Sequence, residues 1–270
     1  MTCSSSGTYP AGCSRPVRAL SHTFELESEA LPFLEQIPLE QVRRLQLGGH
    51  SPGRWLDPSR LESLASISLS DSSLNRKHIP FLRAVPRTGR LRKVHLSFGK
   101  YADLTISELR ELSDALSEQP IEYLYLDIAY MSVEQFLAFA SSLPPQISIL
   151  QLNNPNFSGA RREFDAFLER LDGLERLTVH RSLFEPRQSQ KLLTAPSLRS
   201  LKTLIFSGKS KAAIAELAKN QPLQQLEYFA LCAYSGFSVV GLELSEEFST
   251  SRNLKALGSS PLMAQLKLCA

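Results

Sequence analysis

The sequence predicts an α/β protein assembled from stacked copies of one strand–loop–helix–turn unit. Three observations predict it. Leucine dominates the aliphatic residues, with 46 Leu against 10 Ile and 8 Val in 270 residues. A short motif, apolar-x-x-apolar-x-apolar, recurs along most of the chain. Between its copies the apolar spacing changes from two to three or four, the change that separates a strand from a helix.

The motif begins as Val42-x-x-Leu45-x-Leu47, Leu64-x-x-Ile67-x-Leu69, Leu91-x-x-Val94-x-Leu96 and Ile121-x-x-Leu124-x-Leu126. It continues as Ile147-x-x-Leu150-x-Leu152, Leu174-x-x-Leu177-x-Val179, Leu201-x-x-Leu204-x-Phe206 and Leu226-x-x-Phe229-x-Leu231. A ninth copy is Met263-x-x-Leu266-x-Leu268. From the fourth position of one copy to the next, the steps are 22, 27, 30, 26, 27, 27, 25 and 37 residues. The last two apolar residues of each copy are two apart, so they point to one side of a short strand. A strand that buries one face at so regular an interval must stack on copies of itself.

Each element between the strands has its own signal. Ile106, Leu109, Leu112 and Ala115-Leu116 form a helical stripe, and Val133–Leu143, Phe164–Leu171, Ser189–Leu193 and Ala212–Leu217 behave alike. Pro120, Pro144-Pro145, Gly173, Pro196 and Pro222 then mark the returns. Five residues past the strand's last apolar position stand Leu74, Tyr101, Met131, Phe157 and Phe184, an inward column on the outgoing loop.

These units resemble leucine-rich repeats, L-x-x-L-x-L-x-x-N/C-x-L, and their length and helices resemble the ribonuclease-inhibitor-like class. The resemblance covers residues 39–270. It implies a right-handed solenoid, a horseshoe with a parallel concave sheet of about nine short strands and helices on the convex side. Residues 25–38 then form an N-terminal capping helix, and residues 1–24 a leader. An irregular insertion lies near 232–253, where Phe237–Leu244 reads as an added strand or hairpin. The family's Asn/Cys column holds His50, Ser72, Gly99, Ala129, Pro155, Ser182, Lys209 and Tyr234. The loops are therefore expected to be irregular, their backbone polar groups finding other partners. Two phrases, Phe33–Leu47 and Ala256–Leu268, resemble myxobacterial and planctomycete leucine-rich proteins, which carry a companion domain upstream that the residues before Leu39 do not supply.

Composition excludes other classes. At 43% hydrophobic with 13 Gly and 16 Pro, the chain is neither collagen-like nor low-complexity. No apolar run approaches the roughly 18–20 residues that cross a bilayer. The formal charge of +3 points to neither nucleic acid nor an anionic membrane as a partner. Cys3, Cys13, Cys232 and Cys269 have no C-x-x-C spacing and are too few for a disulfide framework. They read as reduced thiols of a cytoplasmic protein with no metal. The first 24 residues are basic, Ser-rich and free of acid. They fit a transit-peptide mimic, a disordered leader or an early start codon, and lack the continuous apolar stretch of a secretory signal. The last copy of the motif has no polar capping unit behind it, which calls for a homodimer covering the sheet edge or a truncated reading frame.

No motif supports catalysis or a cofactor. Gly49-His50-Ser51-Pro52-Gly53 fits G-x-S-x-G, but Pro52 has no N–H to offer an oxyanion. Ser97-Phe98-Gly99-Lys100 fits S-x-x-K without companion motifs, and the five histidines lack metal-ligand spacing. Phosphate-binding glycine loops are also missing.

Binding is the remaining chemistry. The strand residues between the apolar positions face the concave surface. There Lys93, His95, Tyr123, Tyr125, Gln151, Asn153, Arg176 and His180 make one contiguous patch, rich in the Tyr and Arg that anchor protein interfaces. Ser66, Ser68 and Ser70 read as inert surface. The expectation is a non-enzymatic scaffold that binds another protein through this face. The alternatives are a substrate-recognition module of a bacterial effector or ubiquitin-ligase-type system, and an enzyme whose site is dispersed over several repeats.

Overall fold

The computed structural model describes residues 2–3, 19–23, 38–48, 56–70, 74–100, 102, 104–182, 186–208 and 225–232. It divides into two compact units, Met1–Leu126 with Ala138–Gln146, and Asp127–Leu137 with Ile147–Ala270. Each is α/β, with an open parallel sheet and helices.

The first unit's strands are β1 (Thr2–Cys3), β2 (Ala19–Thr23), β3 (Arg44–Gly48), β4 (Ser66–Ser70), β5 (Lys93–Ser97) and β6 (Tyr123–Asp127, whose last residue belongs to the second unit). They lie side by side in chain order. Pairing is parallel without slippage from β1 to β5: Leu45 stands opposite Ile67 and Ile67 opposite Val94. The alternation of buried and outward residues in β3, β5 and β6 follows from the two-residue period. All twelve apolar positions of the first four motif copies, from Val42 to Leu126, are buried. Each buried Leu contributes about 2 kcal/mol of apolar transfer. The leucine excess is thus the core itself.

A backbone device repeats with the motif. The Arg43 carbonyl accepts from the N–H groups of Ala65 (2.8 Å) and Ser66 (3.0 Å). The Ala65 carbonyl accepts from Arg92 and Lys93, both at 3.1 Å, and that of Arg92 from Glu122 (2.9 Å) and Tyr123 (3.0 Å). One carbonyl at each strand entrance therefore holds two successive N–H groups of the next unit. This fixes where each strand begins.

Helices α1 (His78–Ala84) and α2 (Ile106–Ser117) belong to the same unit. Helix α2 starts at Thr105 because a capping box closes there: the Glu108 N–H donates to Thr105 Oγ1, and the Thr105 N–H donates back to the Glu108 carboxylate. That donation holds the Glu108 carboxyl below its ordinary range. Leu109, Leu112, Ala115 and Leu116 face the core at helical spacing. Helix α3 (Val133–Ala140) is capped the same way by Ser132 and Gln135, and its residues are shared between the units. In the first unit its Phe139 meets Phe98 edge to face at 5.6 Å.

The second unit carries β7 (Ile149–Asn153), β8 (Arg176–Ser182), β9 (Thr203–Gly208) and β10 (Tyr228–Cys232), again parallel and in chain order. The same carbonyl device recurs: Ser148 holds Glu175 and Arg176, Glu175 holds Lys202 and Thr203, and Lys202 holds Glu227 and Tyr228. Helices α4 (Arg161–Glu169) and α5 (Pro186–Thr194) pack beside one another. Phe136, Phe157, Phe164 and Phe167 make a ring cluster with centroids 5.1–6.5 Å apart. Gly173 turns the chain into β8 at φ +80°, where a side chain would be strained.

Several expectations meet a different outcome. Residues 1–24 were expected to be a leader, yet Ala19–Thr23 pairs in register with β3, Leu20 opposite Leu45 and His22 opposite Leu47. A His in the motif's third column hides that copy from an apolar pattern. The inward loop column holds at Leu74 and Phe157, both buried, while Met131 is half-exposed; Tyr101 and Phe184 lie outside the described residues. Also outside them lie the capping helix before Pro38, the Ala212–Leu217 helix, the ninth motif copy and the insertion beyond Cys232. No helix among the described residues is long and apolar enough to cross a membrane.

The outgoing turns are irregular in a definite way. Two residues past the last apolar strand position stand Phe98 and Ile128, both buried, then Asn154 and Arg181. The last two adopt left-handed backbone, φ 57° and 52°. At Arg181 the pairing of β8 with β9 shifts register between Val179 and Ser182.

Candidate protein-binding surface

The eight residues read from the sequence divide evenly. Lys93, His95, Tyr123 and Tyr125 lie on the first unit's sheet, and Gln151, Asn153, Arg176 and His180 on the second's.

In the first unit, Val94, Leu96, Leu124 and Leu126 enter the core, so the alternate residues of β5 and β6 must leave on the other face. Lys93 is exposed; His95, Tyr123 and Tyr125 are half-buried. The His95 and Tyr125 rings meet at 3.9 Å between centroids and 61° between planes. Register places Ser66 opposite Lys93 and Ser68 opposite His95, with Arg44 and Gln46 beyond them on β3, both exposed. The face therefore rises from serine hydroxyls to a wall of aromatic rings. Both tyrosines present area with few rotatable bonds, the property that suits an interface anchor.

In the second unit, Ile149 stands opposite Arg176, Gln151 opposite Thr178 and Asn153 opposite His180. Arg176 is exposed and Gln151 half-buried. Asn153 is already engaged: its amide donates to Asp127 Oδ2 at 2.9 Å. The Asn154 amide donates to the other oxygen at 3.1 Å, and the Ala129 N–H reaches that oxygen at 3.3 Å. Asp127 thus performs the loop-satisfying task that the motif's Asn/Cys column leaves undone, and Asn153 reads as part of that brace. His180 is half-buried. Burial first, and then the neighbouring Arg181 charge, hold its pKa below the ordinary histidine value.

Strand alternation places Thr178 and Ile205 among the outward residues, but both are only 4% exposed. Across the second unit the middle column closes from Gln151 to Ile205. The accessible positions there are the flanking ones, Arg176 and Tyr228, and residue type alone gave no sign of it.

Charges on the described residues are sorted by place. At the strand entrances they pair: Arg92 with Glu122, and Lys202 with Glu175 at 2.8 Å. On the first unit's helical side, Arg87 pairs with Glu118, and Arg83 approaches Glu111 at 3.9 Å. In the second unit Lys191 pairs with Asp165. Asp127 is the one described carboxylate at an outward strand position, and both its oxygens are occupied.

Of the two catalytic motif candidates, one falls on described residues. Residues 49–53 lie outside the described residues. Ser97 ends β5, Phe98 is buried, and Lys100 lies in the turn that follows. No group of three or more metal-capable side chains occurs among the described residues. A surface cavity of about 540 Å³ lies between α4 and α5, lined by Asp165, Glu169, Asp172, Lys191 and Arg199 among others. Its ion pairs are internal and exposed. No protein-family model matches the chain, and no curated protein matches it.

Proposed function

We propose that the chain is a leucine-rich-repeat solenoid of the ribonuclease-inhibitor-like class, and that it acts as a non-enzymatic scaffold that binds another protein through its sheet face. The observation that carries this reading is the division of labour on β5 and β6. Their leucines and valine are consumed by the core, while Lys93, His95, Tyr123 and Tyr125 are held outward on a rigid ladder. Side chains fixed on strands lose little freedom on binding, so their contact area is converted into affinity efficiently. The unshifted pairing from β2 to β5 and from β7 to β8, with the repeated carbonyl device, supports the solenoid. The absence of a cysteine framework in the sequence supports a cytoplasmic setting.

The test is capture of partners by the full chain carrying Tyr123→Ala and Arg176→Ala, side by side with the wild type. A protein retained by the wild type should be lost from the variant while the circular-dichroism melt stays unchanged. Equal retention by both would refute the reading.

A further inference from the structure

The first unit's sheet face has one sign of charge. Its outward positions on β3 to β6 include Arg44, Gln46, Ser66, Ser68, Lys93, His95, Ser97, Tyr123 and Tyr125; the one acid at an outward position of these strands is Asp127, at the end of β6, whose two oxygens are taken by Asn153 and Asn154. Some cations of this unit have a carboxylate at hand, as Arg60 has Glu40 at 2.8 Å and Arg92 has Glu122. Arg44 and Lys93 form no ion pair among the described residues and are both exposed. Two exposed cations on one row, with no carboxylate beside them on that row, are complementary to an anion brought by something else.

The spacing narrows what that is. Arg44 and Lys93 share one row with Ser66 between them. Two strand intervals separate their backbones by about 10 Å. The short serines leave a trough between the two long cations, and the next strand closes it with Tyr123 and Tyr125. A polyproline II segment has three residues per turn and rises about 3.1 Å per residue, so residues three apart share one face about 9 Å from each other.

We propose that this trough docks an acidic protein segment in polyproline II conformation, with carboxylates three residues apart on Arg44 and Lys93 and an apolar or aromatic residue against Tyr125. This rests on the protein-binding reading and deepens it by naming the partner's chemistry. Ser66 and Ser68, which look inert in the sequence, become the floor that admits the carboxylates.

The experiment is selection of a random twelve-residue peptide library on the full chain, repeated on Arg44→Ser/Lys93→Ser and on Tyr125→Ala. Selected peptides are then synthesised and titrated by fluorescence anisotropy. Peptides enriched in Asp or Glu at a three-residue spacing are expected. Their binding should weaken about tenfold in the charge variant, and several-fold between low and physiological salt. Peptides that depend on Tyr125 but show no acidic enrichment and ignore the charge variant would overturn the acidic partner and leave the protein-binding face intact. Selection that depends on neither variant, or yields nothing, would overturn both. A twenty-nucleotide single strand that binds and displaces the peptides, and is itself lost with the charge variant, would overturn the proposal in favour of a nucleic-acid partner.

Discussion

His95 and Tyr125 sit side by side on adjacent strands, their rings 3.9 Å apart and tilted by 61°. Neither contributes to the leucine core; the pair is built on the opposite face. It fixes the orientation of Tyr125, the largest flat surface in that row, before any partner arrives. A double-mutant cycle with His95→Ala and Tyr125→Ala should give a coupling of about 0.5–1.5 kcal/mol in urea unfolding. Additive effects would mean that the rings touch without organising one another.

Phe157 lies within 5.1–5.5 Å of Phe136, Phe164 and Phe167 and is 1% exposed. Its carbonyl also accepts from the buried Gln188 amide at 2.6 Å. Phe157→Ala removes the centre of the cluster and should cost about 3–5 kcal/mol. Phe157→Leu should cost less than half of that, measured as the shift in denaturation midpoint at constant slope.

His78 is 4% exposed, with Nδ1 at 3.2 Å from the Asn75 backbone. Burial lowers its pKa, partly offset by the Asn75 contact, and burial lowers that of His180 as well. The folded state therefore holds these protons less readily than the unfolded chain does. Their contribution to stability is complete above the ordinary histidine pKa of about 6.5 and is lost as pH falls through it. The urea midpoint should drop between pH 7.5 and 5.5, and His78→Gln should flatten that drop. A midpoint that rises on acidification would contradict this sign.

Arg181 stands at φ 52°, where a side chain is unfavourable, and the β8–β9 register shifts beside it. Arg181→Gly relieves the backbone and should raise stability by about 0.5–1 kcal/mol. Destabilisation would show that the arginine's contacts outweigh the strain.

The core and the register are legible because leucine spacing is enforced by geometry: a slip of one residue would turn Leu124 and Leu126 outward. The motif copies align in the ladders where the spacing places them, as Leu150 stands opposite Leu177 and Leu177 opposite Leu204. The strand at Ala19–Thr23 escaped because His22 breaks the apolar pattern while the backbone pairing tolerates it. The candidate face was legible only in part. Alternation brings Lys93 and Tyr125 outward, but no local rule announces that Asp127 engages Asn153, or that Thr178 and Ile205 are covered. Those outcomes depend on neighbours two dozen residues away in sequence. Arg44 gains weight only once the register sets it two strands from Lys93, with Ser66 between them.

The most direct measurement is site-specific photo-crosslinking to the captured partner. A photoreactive residue would replace Gln46 or Lys93 on the sheet face, or Arg110 or Glu163 on the exposed sides of α2 and α4. Binding through the sheet face gives adducts from the sheet positions and none from the helices. Adducts confined to the helical positions would contradict it.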